Sequence, residues 1–164
     1  MNLPSQKGRL ACLHRPCHAL FFRAVPGASP SDFAFAYRQQ VRFGETDMQG
    51  VVYYANYLVY AEVGRFAYLR HAGLDYRRDL LDHGLDFTIA SASVRYLSPL
   101  RYPDEFDVRV RVAGVRHSSW RFEYLVTKAD GTRCAEMETA QVVLDRATWR
   151  PARIPASLAE RLRA

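Results

Sequence analysis

Four successive segments with alternating hydrophobic residues, all in the second half of the chain, constrain the fold most. They cover residues 85–97, 105–115, 119–128 and 134–146. Side chains at alternate positions of a strand lie on one face of a sheet. Asp130 and Gly131, which separate the last two segments, are typical of a tight hairpin turn. The pattern therefore predicts an antiparallel sheet.

One strand and one long helix are predicted before these segments. Residues 34–43 alternate as a strand does, and residues 56–72 carry hydrophobic residues at spacings of four and three. Those spacings predict one apolar helical face, suited to packing on a sheet, formed by Val59, Val63, Phe66 and Leu69. A long helix on an antiparallel sheet belongs to the α+β class.

Shorter elements complete this prediction. Asn56 is expected to cap the long helix, and Gly73 to end it. Residues 76–84 are predicted as a second helix or a looser segment. Residues 156–163 are predicted as a terminal amphipathic helix.

A basic extension is predicted before the folded domain. Residues 1–33 contain prolines and glycines spaced too closely for a regular element, so we expect a disordered extension there and one domain over residues 34–164. Four of the 23 basic residues and none of the 17 acidic residues lie in residues 1–31. This composition also fits an organellar transit peptide, and a start codon assigned too far upstream would look the same.

Composition limits the partners that are expected. The basic excess lies mostly in the extension, and the chain has neither a basic stripe nor a known nucleic-acid-binding motif. Nucleic acid is therefore not an expected partner. No apolar run approaches the roughly 18 residues that cross a membrane. Three cysteines cannot all pair within one chain, which favours a reducing compartment. A protein of the cytoplasm is therefore expected.

No metal or redox cofactor is predicted. The run from Cys12 to His18 has metal-ligand residue types, but it lies in the extension and no second cluster completes a site. The chain also lacks a Walker loop and a dinucleotide fingerprint. It has no Gly-x-Ser-x-Gly elbow, so a serine hydrolase is not supported.

A carboxylate in a tight turn before the long helix is the candidate reaction centre. Asp47 precedes Asn56 by nine residues, and Gly50 lies between them. A carboxylate can act as a nucleophile or a general base. Unpaired N–H groups in the first turn of a helix can stabilise an oxyanion. Asp47 could instead only bond its own backbone, which is common for Asp in a turn.

The surrounding residues resemble a known signature, namely the run Phe43-Gly-Glu-Thr-Asp47-Met-Gln-Gly50-Val-Val-Tyr-Tyr-Ala-Asn56-Tyr57-Leu. It is similar to the signature of the 4-hydroxybenzoyl-CoA and YbgC-like thioesterases, and the similarity covers about residues 35–147. The resemblance implies a hot-dog fold, an antiparallel sheet wrapped around one long helix. It also implies hydrolysis of an acyl-CoA or acyl-carrier-protein thioester without a cofactor, in a homodimer or homotetramer.

The resemblance assigns roles residue by residue. It implies that Asp47 is the catalytic carboxylate, as nucleophile or general base, and that the backbone N–H of Tyr54 polarises the thioester carbonyl. Gly50 matches the turn glycine. Many YbgC-like members have histidine where this chain has Tyr54, so no role of an imidazole transfers, and the acyl group stays open.

Further residues are assigned to the pocket and its support. The predicted substrate-binding residues are Gly50, Val52, Tyr53, Asn56 and Tyr57. Glu45 is expected to be a rim or supporting charge. Glu62 and Arg65 lie three apart on the helix and are expected to form an ion pair or an interface contact.

Two alternatives to hydrolysis remain open from the sequence. A hot-dog dehydratase acting on acyl thioesters normally pairs a histidine with an acid, and this turn has no histidine. A non-catalytic module could bind acyl thioesters on the same fold without cleaving them.

Overall fold

The computed structural model describes residues 28–163. The predicted disorder of residues 1–27 and the run from Cys12 to His18 lie outside this range. Residues 28–33, which the sequence analysis assigned to the extension, are packed on the domain. Ala28 and Phe33 are buried with Leu125, and the Arg111 guanidinium lies 4.9 Å from the centre of the Phe33 ring. The folded unit thus includes residues before position 34.

Strands and helices follow the predicted order closely. The strands are β1 (Phe35–Gln40), β2 (Leu85–Tyr96), β3 (Glu105–Val115), β4 (Ser119–Lys128), β5 (Arg133–Asp145) and the short β6 (Arg150–Pro151). The helices are α1 (Asn56–His71), α2 (Tyr76–Asp79) and α3 (Ala156–Arg163). The first strand is shorter than predicted, because residues 43–45 form a single 3-10 turn.

All strand pairs in the sheet are antiparallel, in the order β1-β3-β4-β5-β2, with β6 added to β5. Helix α1 packs on the face formed by alternate side chains of β3 and β4, including Val108, Phe122 and Tyr124. The predicted α+β class is confirmed. The sheet and α1 together enclose the main hydrophobic core.

The face through which α1 meets the sheet differs from the prediction. Val59 and Val63 are 53% and 39% exposed, whereas Ala61 and Gly64 are buried. A Cβ atom added at Gly64 would lie 2.7 Å from Cγ1 of Val108. The helix therefore approaches the sheet through its smallest side chains, since larger ones would hold the backbones apart. Leu69 is buried and Phe66 packs against the core as predicted, so the prediction is wrong for Val59 and Val63 only.

The ends of α1 also refine the prediction. Gly73 ends the helix as expected, with a φ of 68° that favours glycine. Asn56 does not cap the helix, because it is the first helical residue and its side chain points to another partner, described below. The predicted pair of Glu62 and Arg65 is not formed: Arg65 is buried, with its guanidinium 5.4 Å from the centre of the Phe66 ring, and Glu62 is exposed.

An ion cluster ties the short helix α2 to the C-terminal helix α3. The buried Asp79 carboxylate accepts hydrogen bonds from Arg78 at 2.8 Å and from Arg161 at 3.1 Å. The Arg78 hydrogen bond is the main cause that lowers the pKa of Asp79, and Arg161 adds to it against the opposing effect of burial. The C-terminal helix is thereby held on the domain.

Candidate active site

Residues 45–53 form a narrow loop before α1. Its arms are joined by Tyr53 N–H donating to the Glu45 carbonyl and by Asp47 N–H donating to the Val51 carbonyl, each at 2.9 Å. At the tip, Gly50 N–H donates to the Asp47 carbonyl at 2.9 Å, with a φ of 69° at Gly50. A residue other than glycine would be strained there. The loop thus fixes the backbone of Asp47.

The Asp47 carboxylate has one bonded and one unbonded oxygen. Its Oδ1 accepts the N–H of Gln49 at 2.8 Å, the turn contact that sequence reasoning raised as an alternative to catalysis. Its Oδ2 accepts no hydrogen bond from residues 28–163, and the side chain is partly exposed. The turn contact orients the carboxylate and leaves Oδ2 available to another molecule.

The peptide group between Tyr53 and Tyr54, which carries the Tyr54 N–H, is held through its carbonyl oxygen. The Tyr53 carbonyl, in the same peptide, accepts the N–H of Asn56 at 2.9 Å. The Asn56 side chain donates to the Glu45 carbonyl at 2.8 Å. Because the N–H and C=O of a planar trans peptide point in opposite directions, fixing the carbonyl also fixes the N–H. The Tyr54 N–H donates to no acceptor within the described part of the chain.

Asp47 and Tyr54 line the same cleft, whose volume is about 440 Å³. The other lining residues are Gln49, Val51, Val52, Tyr53, Tyr57, Tyr96, Leu97, Ser98 and Pro99. Of the predicted substrate-binding residues, Val52, Tyr53 and Tyr57 contribute to the lining. Gly50 and Asn56 do not, because Gly50 faces Arg101 and Asn56 turns toward Glu45. Both support the loop from outside the cleft.

Aromatic side chains form one wall of the cleft. Tyr57 is buried, its hydroxyl accepts the Leu100 N–H at 3.2 Å, and burial raises the pKa of its phenol. The Tyr96 ring packs edge-on against Tyr57, with 5.2 Å between ring centres. The Tyr96 hydroxyl donates to the Tyr54 carbonyl at 3.0 Å. Tyr53 and Tyr54 are mostly exposed and contact each other.

Sequence reasoning missed the residues that β2 and its following segment bring to the cleft. Tyr96 lies 42 positions after Tyr54, and only the pairing of β2 with β5 brings the two together. Residues 96–99 lie at the end of a predicted strand and directly after it. Binding residues are common at such places, but the amino-acid types at these four positions did not indicate this cleft. A contact of this kind can be predicted only when the topology of the sheet is known.

The described residues contain neither a metal-binding cluster nor a membrane-spanning helix. Among residues 28–163, no group of three or more His, Cys, Asp or Glu side chains is arranged to hold a metal ion. Within the same residues, every helix is too short or too polar to cross a membrane.

Comparison with known proteins identifies the family of the chain. The profile of the thioesterase-like superfamily matches residues 41–162. A putative esterase of Aquifex aeolicus is 38% identical over 96 residues, which cover 58% of this chain and 74% of the relative. The acyl-CoA thioester hydrolase YbgC of Escherichia coli O157:H7 is 27% identical over 124 residues, covering 76% of this chain and 92% of YbgC.

A solved structure has the same fold as this chain. The crystal structure of a hypothetical protein from Aquifex aeolicus superposes with a TM-score of 0.72 and 33% identity, over 78% of this chain and 98% of that one. The antiparallel sheet around α1 is the hot-dog fold that the resemblance implied. By its sequence profile, its relatives and its fold, the chain belongs to the thioesterase-like superfamily.

Proposed function

We propose that this protein hydrolyses an acyl-CoA thioester to a free acid and CoA, in the cleft between Asp47 and the start of α1. One observation carries the proposal: Asp47 and Tyr54 line the same cleft, and among the described residues the Asp47 carboxylate has an unbonded oxygen and the Tyr54 backbone N–H has no acceptor. YbgC, which is named as an acyl-CoA thioester hydrolase, supports the reaction class.

Two routes use these groups in the same positions. As a nucleophile, Asp47 attacks the thioester carbonyl, the thiolate leaves, and water then hydrolyses the mixed anhydride. As a general base, Asp47 removes a proton from a water that attacks the carbonyl directly, and the tetrahedral intermediate then expels the thiolate. In both routes negative charge develops on the carbonyl oxygen, where the Tyr54 N–H would donate without first breaking another hydrogen bond.

Release of thiol from a panel of short, long and aromatic acyl-CoAs tests the reaction. We expect free CoA and free acid in equal amounts. The relative rates across the panel should show which acyl group is preferred. The same panel on acyl carrier protein separates the two possible carriers. Acyl-CoA that binds without release of thiol would favour a non-catalytic module, and hydration of an enoyl-CoA would favour a dehydratase.

We also propose that the protein is a homo-oligomer of the cytoplasm. The outer edge of β2 is unpaired among the described strands, and an edge strand of 12 residues usually needs protection. Val59 and Val63 of α1 are exposed apolar side chains. Residues 1–27 are proposed to be an extension, with organellar import through residues 1–33 as the alternative.

Light scattering on the full chain tests the oligomer. We expect a mass of at least twice the 18.8 kDa of one chain. Val59→Glu should weaken association, because it places a charge in the proposed contact. Trp149→Glu is the matched control, since Trp149 is also an exposed apolar residue but lies in the turn between β5 and β6. A monomeric wild-type protein would contradict the proposal.

A further inference from the structure

A buried tyrosine of α1 is bonded to a carboxylate of the Asp47 loop. The Tyr60 hydroxyl donates to Oε2 of Glu45 at 2.6 Å, and the Arg42 N–H donates to the same oxygen at 2.8 Å. The Tyr60 side chain is 2% exposed and packs on Phe106, with 4.7 Å between ring centres. Hydrogen bonds to a carboxylate are among the stronger ones in proteins, and this one is partly buried.

Glu45 uses both its side chain and its backbone to connect the parts of the site. Its carbonyl accepts the Tyr53 N–H at 2.9 Å and the Asn56 side-chain amide at 2.8 Å. Its carboxylate reaches Tyr60, one helical turn further along α1. Asp47 follows two residues later in the same loop. The position of Glu45 therefore links the catalytic carboxylate to the helix start.

We propose that Glu45 and Tyr60 are a positioning pair, which holds the Asp47 loop at a fixed distance from the peptide that carries the Tyr54 N–H. Neither residue lines the cleft, so neither would touch the acyl group. The proposal rests on the proposed hydrolysis, in which both groups must meet one carbonyl. A shift of about 1 Å in such a geometry can cost about a hundredfold in rate.

The chemistry of the pair makes Tyr60 the donor near neutral pH. Burial, followed by the hydrogen bond to Glu45, raises the pKa of the Tyr60 phenol well above its ordinary value. Tyr60 therefore stays protonated and cannot act as a base. Its contribution is the hydrogen bond, which a phenylalanine at this position would remove while keeping the ring.

Tyr60→Phe tests the pair, and Tyr68→Phe is its matched control. Tyr68 is a partly buried tyrosine of the same helix whose hydroxyl makes no hydrogen bond within residues 28–163. We expect Tyr60→Phe to lower kcat by about tenfold to a hundredfold with KM changed less than about twofold, whereas Tyr68→Phe keeps both. Glu45→Gln, which retains an acceptor oxygen for Tyr60, should lower kcat less than Glu45→Ala does.

A double variant separates positioning from general stabilisation. If Tyr60 acts through Asp47, Tyr60→Phe should add less than about a twofold loss when Asp47 is already asparagine. Losses that multiply in the double variant would contradict the proposal. Equal kcat in Tyr60→Phe and Tyr68→Phe would contradict it as well.

Hydrogen exchange provides a readout that does not depend on activity. The Tyr53 N–H, which donates to the Glu45 carbonyl, should exchange at least about tenfold faster in Tyr60→Phe than in Tyr68→Phe. Equal protection in the two variants would show that the pair does not hold the loop. A wild-type protein that releases no thiol would instead contradict the proposed hydrolysis, while the exchange result would still decide the role of the pair.

Discussion

Asp47→Asn should lower the turnover number for thioester hydrolysis at least about a hundredfold while the fold is retained, which is the scale of a positioned acid or base. Asparagine keeps an oxygen that can accept the Gln49 N–H, so the loop should remain closed. It removes the negative charge that either route requires. The loss corresponds to about 2.7 kcal/mol of transition-state stabilisation.

The chain offers a closely matched control for this variant. Asp130 also accepts a backbone N–H two residues later, with its Oδ1 2.8 Å from the nitrogen of Thr132. It lies in the hairpin between β4 and β5 and does not line the cleft. Asp130→Asn should therefore keep the turnover number. Circular dichroism and thermal melting report folding, and full activity in Asp47→Asn would mean that Asp47 only shapes its turn.

Asp79→Asn should produce the largest loss of stability among the variants considered, about 2 kcal/mol in the free energy of unfolding at pH 7. Breaking a buried ion pair costs about 3–5 kcal/mol. We expect less here because the Arg78 and Arg161 side chains are 59% and 34% exposed, so water can solvate them after the change. The melting temperature should fall by roughly 4–8 °C.

The dependence of this loss on pH follows from the lowered pKa of Asp79. The ionised carboxylate stabilises the folded state at every pH above its pKa in the unfolded chain, which is about 3.9. Below that value the contribution is lost as the pH falls toward the lower pKa of the folded state. Urea unfolding of wild type and Asp79→Asn should thus differ at pH 7 and begin to converge below about pH 4.

An exposed pair of the same residue types provides the comparison. Asp82 lies 3.7 Å from Arg77, and the two side chains are 60% and 84% exposed. Exposed pairs contribute little to stability, so Asp82→Asn should change the free energy of unfolding by less than about 0.5 kcal/mol. Equal effects of Asp79→Asn and Asp82→Asn would show that the buried cluster does not hold α3 on the domain.

Most of the fold was predictable because its signals are local. The alternation in the segments that became β2, β3, β4 and β5 reports burial on one face of a sheet, whatever the sheet order. The turn at Asp130 and Gly131 and the end of α1 at Gly73 depend on backbone conformations that few residues adopt. Each of these elements appears close to its predicted bounds.

The predictions that failed concern the tertiary contacts of individual side chains. Of the predicted stripe, Leu69 is buried, but Val59 and Val63 are exposed, because the close contact of Gly64 with Val108 turns a neighbouring face of α1 toward the sheet. Asn56 was expected to cap α1 and instead bonds the Glu45 carbonyl. An ion pair between Glu62 and Arg65 was one of two expectations, and Arg65 is instead buried beside the Phe66 ring.

The order and type of the elements, the family resemblance and the choice of Asp47 and Tyr54 as residues to test follow from local patterns and from one contiguous run of residues. The fold was needed to show that Tyr96 joins the cleft, that Asn56 fixes the Tyr54 peptide and that Tyr60 holds Glu45. These contacts link residues 11 to 42 positions apart. Their partners are set by strand pairing and helix packing, which no local pattern encodes.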